Sequence, residues 1–304
     1  MEKTQCLIIG SGPAGLSAAI YTARADVDTL VLGCDPKVAG DYAIDNYFGF
    51  EEAISGRDLM DRGRRQAARF GADIRCETVL GIHFGDPDGF RVKTEQSEYL
   101  TQALILATGV SRHRPKIPNL GDYEGKGVSY CVSCDGYFFK GKPVVVAGEG
   151  LFAANQALEL LTYTQDVTIV TLGKKPAIPA EFQARLDAAK IRVLTGDITA
   201  LGGTLGLSGA QELSGVSLEG GETLPAQGLF IAQGEASSTD FAYTLGVTRK
   251  GAFLEVDAAM RTNVPGVFAA GDCTGGFLQI AVAVGEGALA GKSAISWLKE
   301  KRTA

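Results

Sequence analysis

The feature that most constrains the fold is a plan of strand, glycine turn, helix and strand that the chain writes twice. In the first copy the apolar run "QCLIIG" at residues 5 to 10 meets "GSGPAG". The helical pattern "LSAAIYTARA" and a second apolar run, "DTLVLG" at 28 to 33, follow it. In the second copy "KPVVVAGEG" leads into "LFAANQALELLTYT" and then the strand "DVTIVTLG". Each copy is followed further on by an apolar strand ending in small residues, "ALILATG" at 103 to 109 and "GLFIAQG" at 228 to 234.

A turn of this kind has a mechanical reading. Gly10 makes the turn, Gly12 lets backbone approach a pyrophosphate, and Gly15 lets the helix pack on the strand. Phosphates then sit on the helix N-terminus, where unpaired N–H groups and the helix dipole favour anions. Asp35 follows about twenty residues later, where an acidic group meets a ribose in such units. The matched pair predicts an α/β protein with two related domains of dinucleotide-binding type. The segments "RVKTEQSEYLTQ" and "GVSLEGGETLPAQ" alternate and turn like antiparallel meanders.

Length supports this plan, because 304 residues suffice for two domains with separate cores and 45% hydrophobic residues is a globular composition. A net charge of −6 removes the electrostatic footprint of a nucleic-acid binder. The apolar run before the first turn is too short for a signal-peptide core, and no stretch is long enough to span a bilayer. No nucleic acid and no membrane are expected as partners, and the expected location is cytoplasmic. Reduced cytosol argues against a structural disulfide framework, so Cys6, Cys34, Cys76 and Cys273, scattered singly, read as small core or surface residues.

Cys131 and Cys134, in "CVSCDG", read differently. Two thiols at this spacing can close a disulfide, and their pKa values can be pushed apart so that one attacks while the other holds charge. Zinc is the rival, but it wants four Cys or His ligands, and the chain has one CxxC with only His83 and His113 beside it. No metal is expected. Asp135, next to the second thiol, can move a proton to the departing thiolate or serve as a turn residue. Asp272, before the last helix, can accept from a ribityl hydroxyl or cap that helix.

The run "EGKGVSYCVSCDGYFFKGKPVVVAGEG", with "GSGPAG" before it, "ILATG" between and "VPGVFAAGD" near the end, resembles the low-molecular-weight thioredoxin reductases along essentially the whole chain. The resemblance implies a homodimeric FAD enzyme of two Rossmann-like, three-layer domains, the second inserted in the first. The FAD-binding domain is then 1–113 plus 243–304, and 114–242 is the NAD(P)-binding-like domain with the redox pair. It also implies that Gly10, Gly12, Ala14 and Gly15 hold the FAD pyrophosphate and that Asn46, Thr108, Gly109, Gly271, Asp272 and Gln279 line the cofactor. Cys134 would face the flavin, Cys131 would attack the disulfide of thioredoxin, and Asp135 would be the acid–base partner.

Departures from the family concentrate on one ligand. NADPH-using members carry small and acidic residues after the second glycine turn and a His-Arg-Arg cluster after the next strand. Here "GEGLFAANQA" places Glu149 where a pyrophosphate needs positive potential, and Leu151 and Phe152 add bulk. The next strand ends in "TLGKKP", whose Lys174 and Lys175 could pair with a 2′-phosphate only as point charges. "IAQGEASSTDF" and "GCDPKVAGDYAIDNYFGF" depart as well. The resemblance is therefore to the pyridine-nucleotide-independent, ferredoxin-linked or deeply rooted branch. Electrons would run from reduced ferredoxin through flavin and the Cys131–Cys134 pair to thioredoxin. Arg62, Arg65 and Arg69, at helical spacing, would supply a basic patch for an acidic ferredoxin or a solvated helix face. Ordinary NADPH use, a redox-sensing flavoprotein without turnover, and a glutaredoxin-like or peroxidase acceptor are the alternatives. Trp297, the only tryptophan, is read as core or interface packing.

Overall fold

The computed structural model describes residues 1–36, 38–41, 43–85, 89–109, 115–130, 132–205, 211–233, 238–251 and 253–303. Cys131, His113 and residues 234–237 lie outside them, as does the side chain of Cys134. In chain order β1 (Glu2–Ile9), α1 (Pro13–Arg24), β2 (Thr29–Leu32), β3 (Ala43–Ile44), β4 (Ile54–Ser55), α2 (Gly56–Arg69) and β5 (Asp73–Arg75) precede β6 (Val79–Gly85), β7 (Gly89–Thr94) and β8 (Glu98–Leu106). The middle of the chain forms β9 (Val128–Ser129), α3 (Val132–Asp135), β10 (Val144–Ala147), α4 (Leu151–Leu160), β11 (Val167–Val170), α5 (Ala180–Ala188) and β12 (Arg192–Leu194). Then come β13 (Ile198–Leu205), β14 (Gln211–Leu218), β15 (Thr223–Pro225) and β16 (Gly228–Ile231). The last elements are α6 (Ser238–Leu245), β17 (Arg249–Lys250), β18 (Phe253–Leu254), β19 (Val267–Ala269) and α7 (Ile280–Thr303).

The chain divides into two compact units, Met1–Ser111 with Ser237–Ala304, and Arg112–Ala236. In the first, the sheet runs β5-β2-β1-β8-β7-β6, with β19 also paired to β8. The nine-residue β8 explains this branch. Its first half, "EYLT", pairs antiparallel with β7 and alternates in burial, whereas its second half pairs parallel with β19 and is continuously buried. A parallel segment covered on both faces needs an unbroken apolar run, and "ALIL" supplies it. The predicted meander is the β6–β7–β8 ribbon.

The two ends of the chain meet where α1 packs on α7. Small residues make that approach: a Cβ on Gly287 would stand 2.1 Å from the Ala14 carbonyl oxygen, and one on Gly291 2.9 Å from that of Ala18. The Ser17 hydroxyl donates to the Val284 carbonyl at 2.7 Å across the same contact. On the next helix, α2, Ser55 caps the Asp58 amide at 3.0 Å, a bond worth about 1 kcal/mol. Leu59, Met60 and Ala67 of α2 face the core, while Arg62, Arg65 and Arg69 are exposed. Trp297 packs against that core, in keeping with the packing role read from sequence.

The second unit repeats the plan, with a parallel sheet β12-β11-β10-β16-β9 whose central strands "VVVA", "VTIV" and "GLFI" are fully buried. One face is covered by the antiparallel β13-β14-β15 sheet, through Ile198, Leu201, Val216 and Leu224 against Val145 and Ile231. The repeat extends to the turns: a Cβ on Gly10 would lie 2.1 Å from the Ala107 carbonyl oxygen, and one on Gly148 2.1 Å from that of Ala232. Each glycine is the place where its turn crosses the end of the neighbouring parallel strand, β8 for Gly10 and β16 for Gly148.

One expectation is corrected. Cys6 and Cys273 are buried free thiols, but Cys34 and Cys76 are not single residues, since they are joined by a disulfide with Cα atoms 4.3 Å apart. Parallel pairing of β2 with β5 brings the two strand ends together across 42 residues of sequence, a juxtaposition that spacing alone does not reveal.

Candidate active site

The first glycine turn is shaped for a phosphate. Gly12 stands at the N-cap of α1 with no side chain capping the helix and no acidic residue in the first turn, so the amide donors remain for an anion. A Cβ on Gly12 would meet only the Pro36 side chain, at 3.7 Å, so the approach to the turn is open. The equivalent atom on Gly15 would collide with the Gly10 carbonyl at 1.8 Å and lie 3.3 Å from the Ile8 side chain on β1, so only glycine allows the helix this close to the turn and strand. Ala14 lies against Gly271, whose added Cβ would be 2.9 Å from that of Ala14.

Polar groups converge on the same end of the unit. The Gly271 amide donates to the Glu286 carboxylate at 2.7 Å and the Thr274 hydroxyl donates to the same oxygen at 3.0 Å, fixing the "AAGDC" bend. Sequence reading missed Glu286, because a glutamate inside a helical pattern reads as surface. Asp272 opens a 3-10 turn, but its carboxylate accepts no hydrogen bond among the described residues, so the capping alternative is not realised. The Asn46 amide donates to Gln279 at 3.1 Å, joining the segment after β3 to the start of α7. The Thr108 hydroxyl oxygen is buried with no partner. An open cradle, uncapped helix amides, an idle carboxylate and an orphaned hydroxyl together fit FAD, whose pyrophosphate and ribityl hydroxyls would satisfy them. The exposed Asp35 carboxylate pairs with Arg64 at 2.7 Å.

The second turn is built otherwise. Glu149 is 14% exposed and forms an ion pair with Lys174, while its other carboxylate oxygen is buried without a partner. The Glu149 carbonyl accepts from the Ala177 amide at 2.7 Å, and the Thr171 hydroxyl donates to the Lys174 carbonyl at 2.6 Å. The loop after β11 is therefore stitched to the glycine turn, and Lys174 is engaged by Glu149. Phe152 is 4% exposed and turned into the core, so the bulk expected of it falls inside the unit, whereas Leu151 is half-buried.

The "CVSCDG" segment contains α3, with Cys134 in its backbone and Cys131 outside the described residues. The Asp135 carboxylate accepts from the Ser129 hydroxyl at 2.6 Å, which anchors it to β9. Immediately after it Tyr137 and Phe138 are 71% and 67% exposed.

The matched parts extend beyond this chain. Residues 4–287 match the pyridine nucleotide-disulphide oxidoreductase family. The thioredoxin reductase of Listeria monocytogenes is 35% identical over 303 residues, covering 97% of this chain and 93% of its own. This chain belongs to the pyridine nucleotide-disulphide oxidoreductases, within their low-molecular-weight thioredoxin reductases. Such a thioredoxin reductase is a flavin-dependent disulfide oxidoreductase. Among solved structures it is similar to the atypical thioredoxin reductase TRi from Desulfovibrio vulgaris Hildenborough, with 63% identity, a TM-score of 0.94, and 98% and 99% of the two chains covered. It is also similar to a ferredoxin-flavin thioredoxin reductase from Clostridium acetobutylicum, at 27% identity and a TM-score of 0.73 over the whole of both chains. No helix among the described residues is long and apolar enough to cross a membrane.

Proposed function

We propose that this enzyme takes electrons from reduced ferredoxin rather than from NADPH and passes them through FAD and the Cys131–Cys134 disulfide to thioredoxin. The observation that carries this reading is the Glu149–Lys174 pair folded across the second glycine turn. An incoming pyrophosphate would meet the Glu149 carboxylate where it needs positive potential, and a 2′-phosphate would have to displace Lys174 from its partner. Similarity to a relative described as ferredoxin-flavin supports the donor, and the exposed Arg62, Arg65 and Arg69 of α2 offer an acidic carrier a basic surface. Location in the cytoplasm and a homodimeric state belong to the same reading.

Each group then has a defined task. Gly12 and the amides of α1 bind the FAD pyrophosphate, Gly10, Ala14 and Gly15 shape that cradle, and Asn46, Thr108, Gly109, Gly271, Asp272 and Gln279 orient the rest. FAD, when bound, exchanges electrons one at a time with a carrier and two at a time with a disulfide. Cys134 would exchange electrons with the cofactor, Cys131 would attack the disulfide of thioredoxin, and Asp135, held by Ser129, would return the proton to the departing thiolate. The exposed Tyr137 and Phe138 provide apolar contact for the acceptor beside the dithiol.

Anaerobic turnover tests the route, with chemically reduced ferredoxin as donor and appearance of thioredoxin thiols as the readout. The wild type should turn over and Cys134→Ser should not; thiols formed at equal rate by Cys134→Ser would end the reading. Phe138→Ala is expected to raise the KM for thioredoxin about tenfold with donor-side reduction of the flavin unchanged, the loss of one apolar contact. An unchanged KM would remove the docking role.

A further inference from the structure

The pair Cys34–Cys76 has no part in the electron route above, yet two features set it apart from a structural staple. Both sulfurs belong to exposed residues. Disulfides of this exposure are open to attack by an external thiolate, and in reducing compartments those that exist are usually transient or redox-sensing. The pair also sits directly on the nucleotide cradle. The Ser11 hydroxyl, inside the first glycine turn, donates to the Cys34 carbonyl, and the Gly33 amide donates to the Arg75 carbonyl at 3.0 Å. Two residues beyond Cys34, the Pro36 side chain faces Gly12. The disulfide thus clamps the ends of β2 and β5 together at the point from which segment 33–36 runs over the turn.

We infer that Cys34–Cys76 is a second thiol–disulfide exchange site, reduced by a protein dithiol of the kind the enzyme itself generates, and that its opening loosens the hold on the ADP half of FAD. This rests on the reading of the first unit as the FAD site. In the exchange a thiolate of the dithiol attacks one sulfur of the pair, forming a mixed disulfide as the Cys34–Cys76 bond breaks, and the released thiolate takes a proton. The second thiol of the partner then attacks the mixed disulfide and frees the other cysteine as a thiol. Two electrons and two protons pass to the pair, and the partner leaves as a disulfide. Abundant reduced product would in this way weaken the enzyme's own cofactor binding.

The holoprotein is treated anaerobically with reduced thioredoxin or with dithiothreitol. Cys34 and Cys76 are followed by alkylation and peptide mass spectrometry, and FAD release by the rise in flavin fluorescence. Both cysteines should resist alkylation before treatment and label after it, while the protein remains folded. FAD release from the wild type should then quicken by at least about threefold. Cys34→Ser, which retains Cys131–Cys134, should release FAD at the fast rate with or without reductant. Full labelling before reductant, or a link that survives both dithiols in the folded protein, would overturn the exchange site. Labelling that appears as expected with no change in FAD release would overturn the clamp, whereas protein isolated without flavin would instead count against the FAD reading beneath it.

Discussion

Cysteine 6 and cysteine 273 show how burial, above all, holds a thiol in its protonated form. Both are fully buried, and burial pushes each thiol up to about 12 from an ordinary 9.0. Neither should react with iodoacetamide at pH 8 until denaturant is added, as intact-mass spectra can show; rapid labelling of the native protein would contradict the packing. The sign of the linkage follows. A folded pKa above the unfolded one gives stability that is complete below the unfolded value and is lost as pH rises from 9.0 toward about 12, so these thiols favour unfolding increasingly across that window. The Glu149–Lys174 pair is the residue-scale counterpart at the second turn, where the sequence shows the charge and the structure shows what the charge holds.

At the scale of elements, the crossing of α1 and α7 is the joint that makes one unit from the two ends of the chain. Gly287→Val should cost about 1–3 kcal/mol, because its new side chain has only the Ala14 backbone to displace. Thermal denaturation should show a lower Tm and FAD should be held less well; an unchanged Tm would mean that the helices separate without cost. Elements of this kind divide what was legible from what was not. The βαβ units were readable because apolar runs and glycine turns are local signals, and β8 was readable in halves because its burial pattern changes with its partner. The Cys34–Cys76 bond, the Glu286 hydrogen bonds to the "AAGDC" bend and the stitching of Ala177 onto Glu149 were not, because each joins residues brought together only by strand pairing or helix docking.

For the whole molecule, a repeated plan with two different turns describes the enzyme best. Both turns open uncapped helices, but the first keeps an open cradle at Gly12, whereas the second carries the Glu149–Lys174 ion pair. The second unit is thus retained for its disulfide, in the reading proposed here, and its nucleotide function is spent. An anaerobic titration of the purified holoprotein tests this most directly, with flavin absorbance followed as NADPH, NADH and then reduced ferredoxin are added. The account predicts no bleaching by either nucleotide in excess and full bleaching by reduced ferredoxin. Rapid bleaching by NADPH would contradict it and return Lys174 and Lys175 to the task of binding a 2′-phosphate.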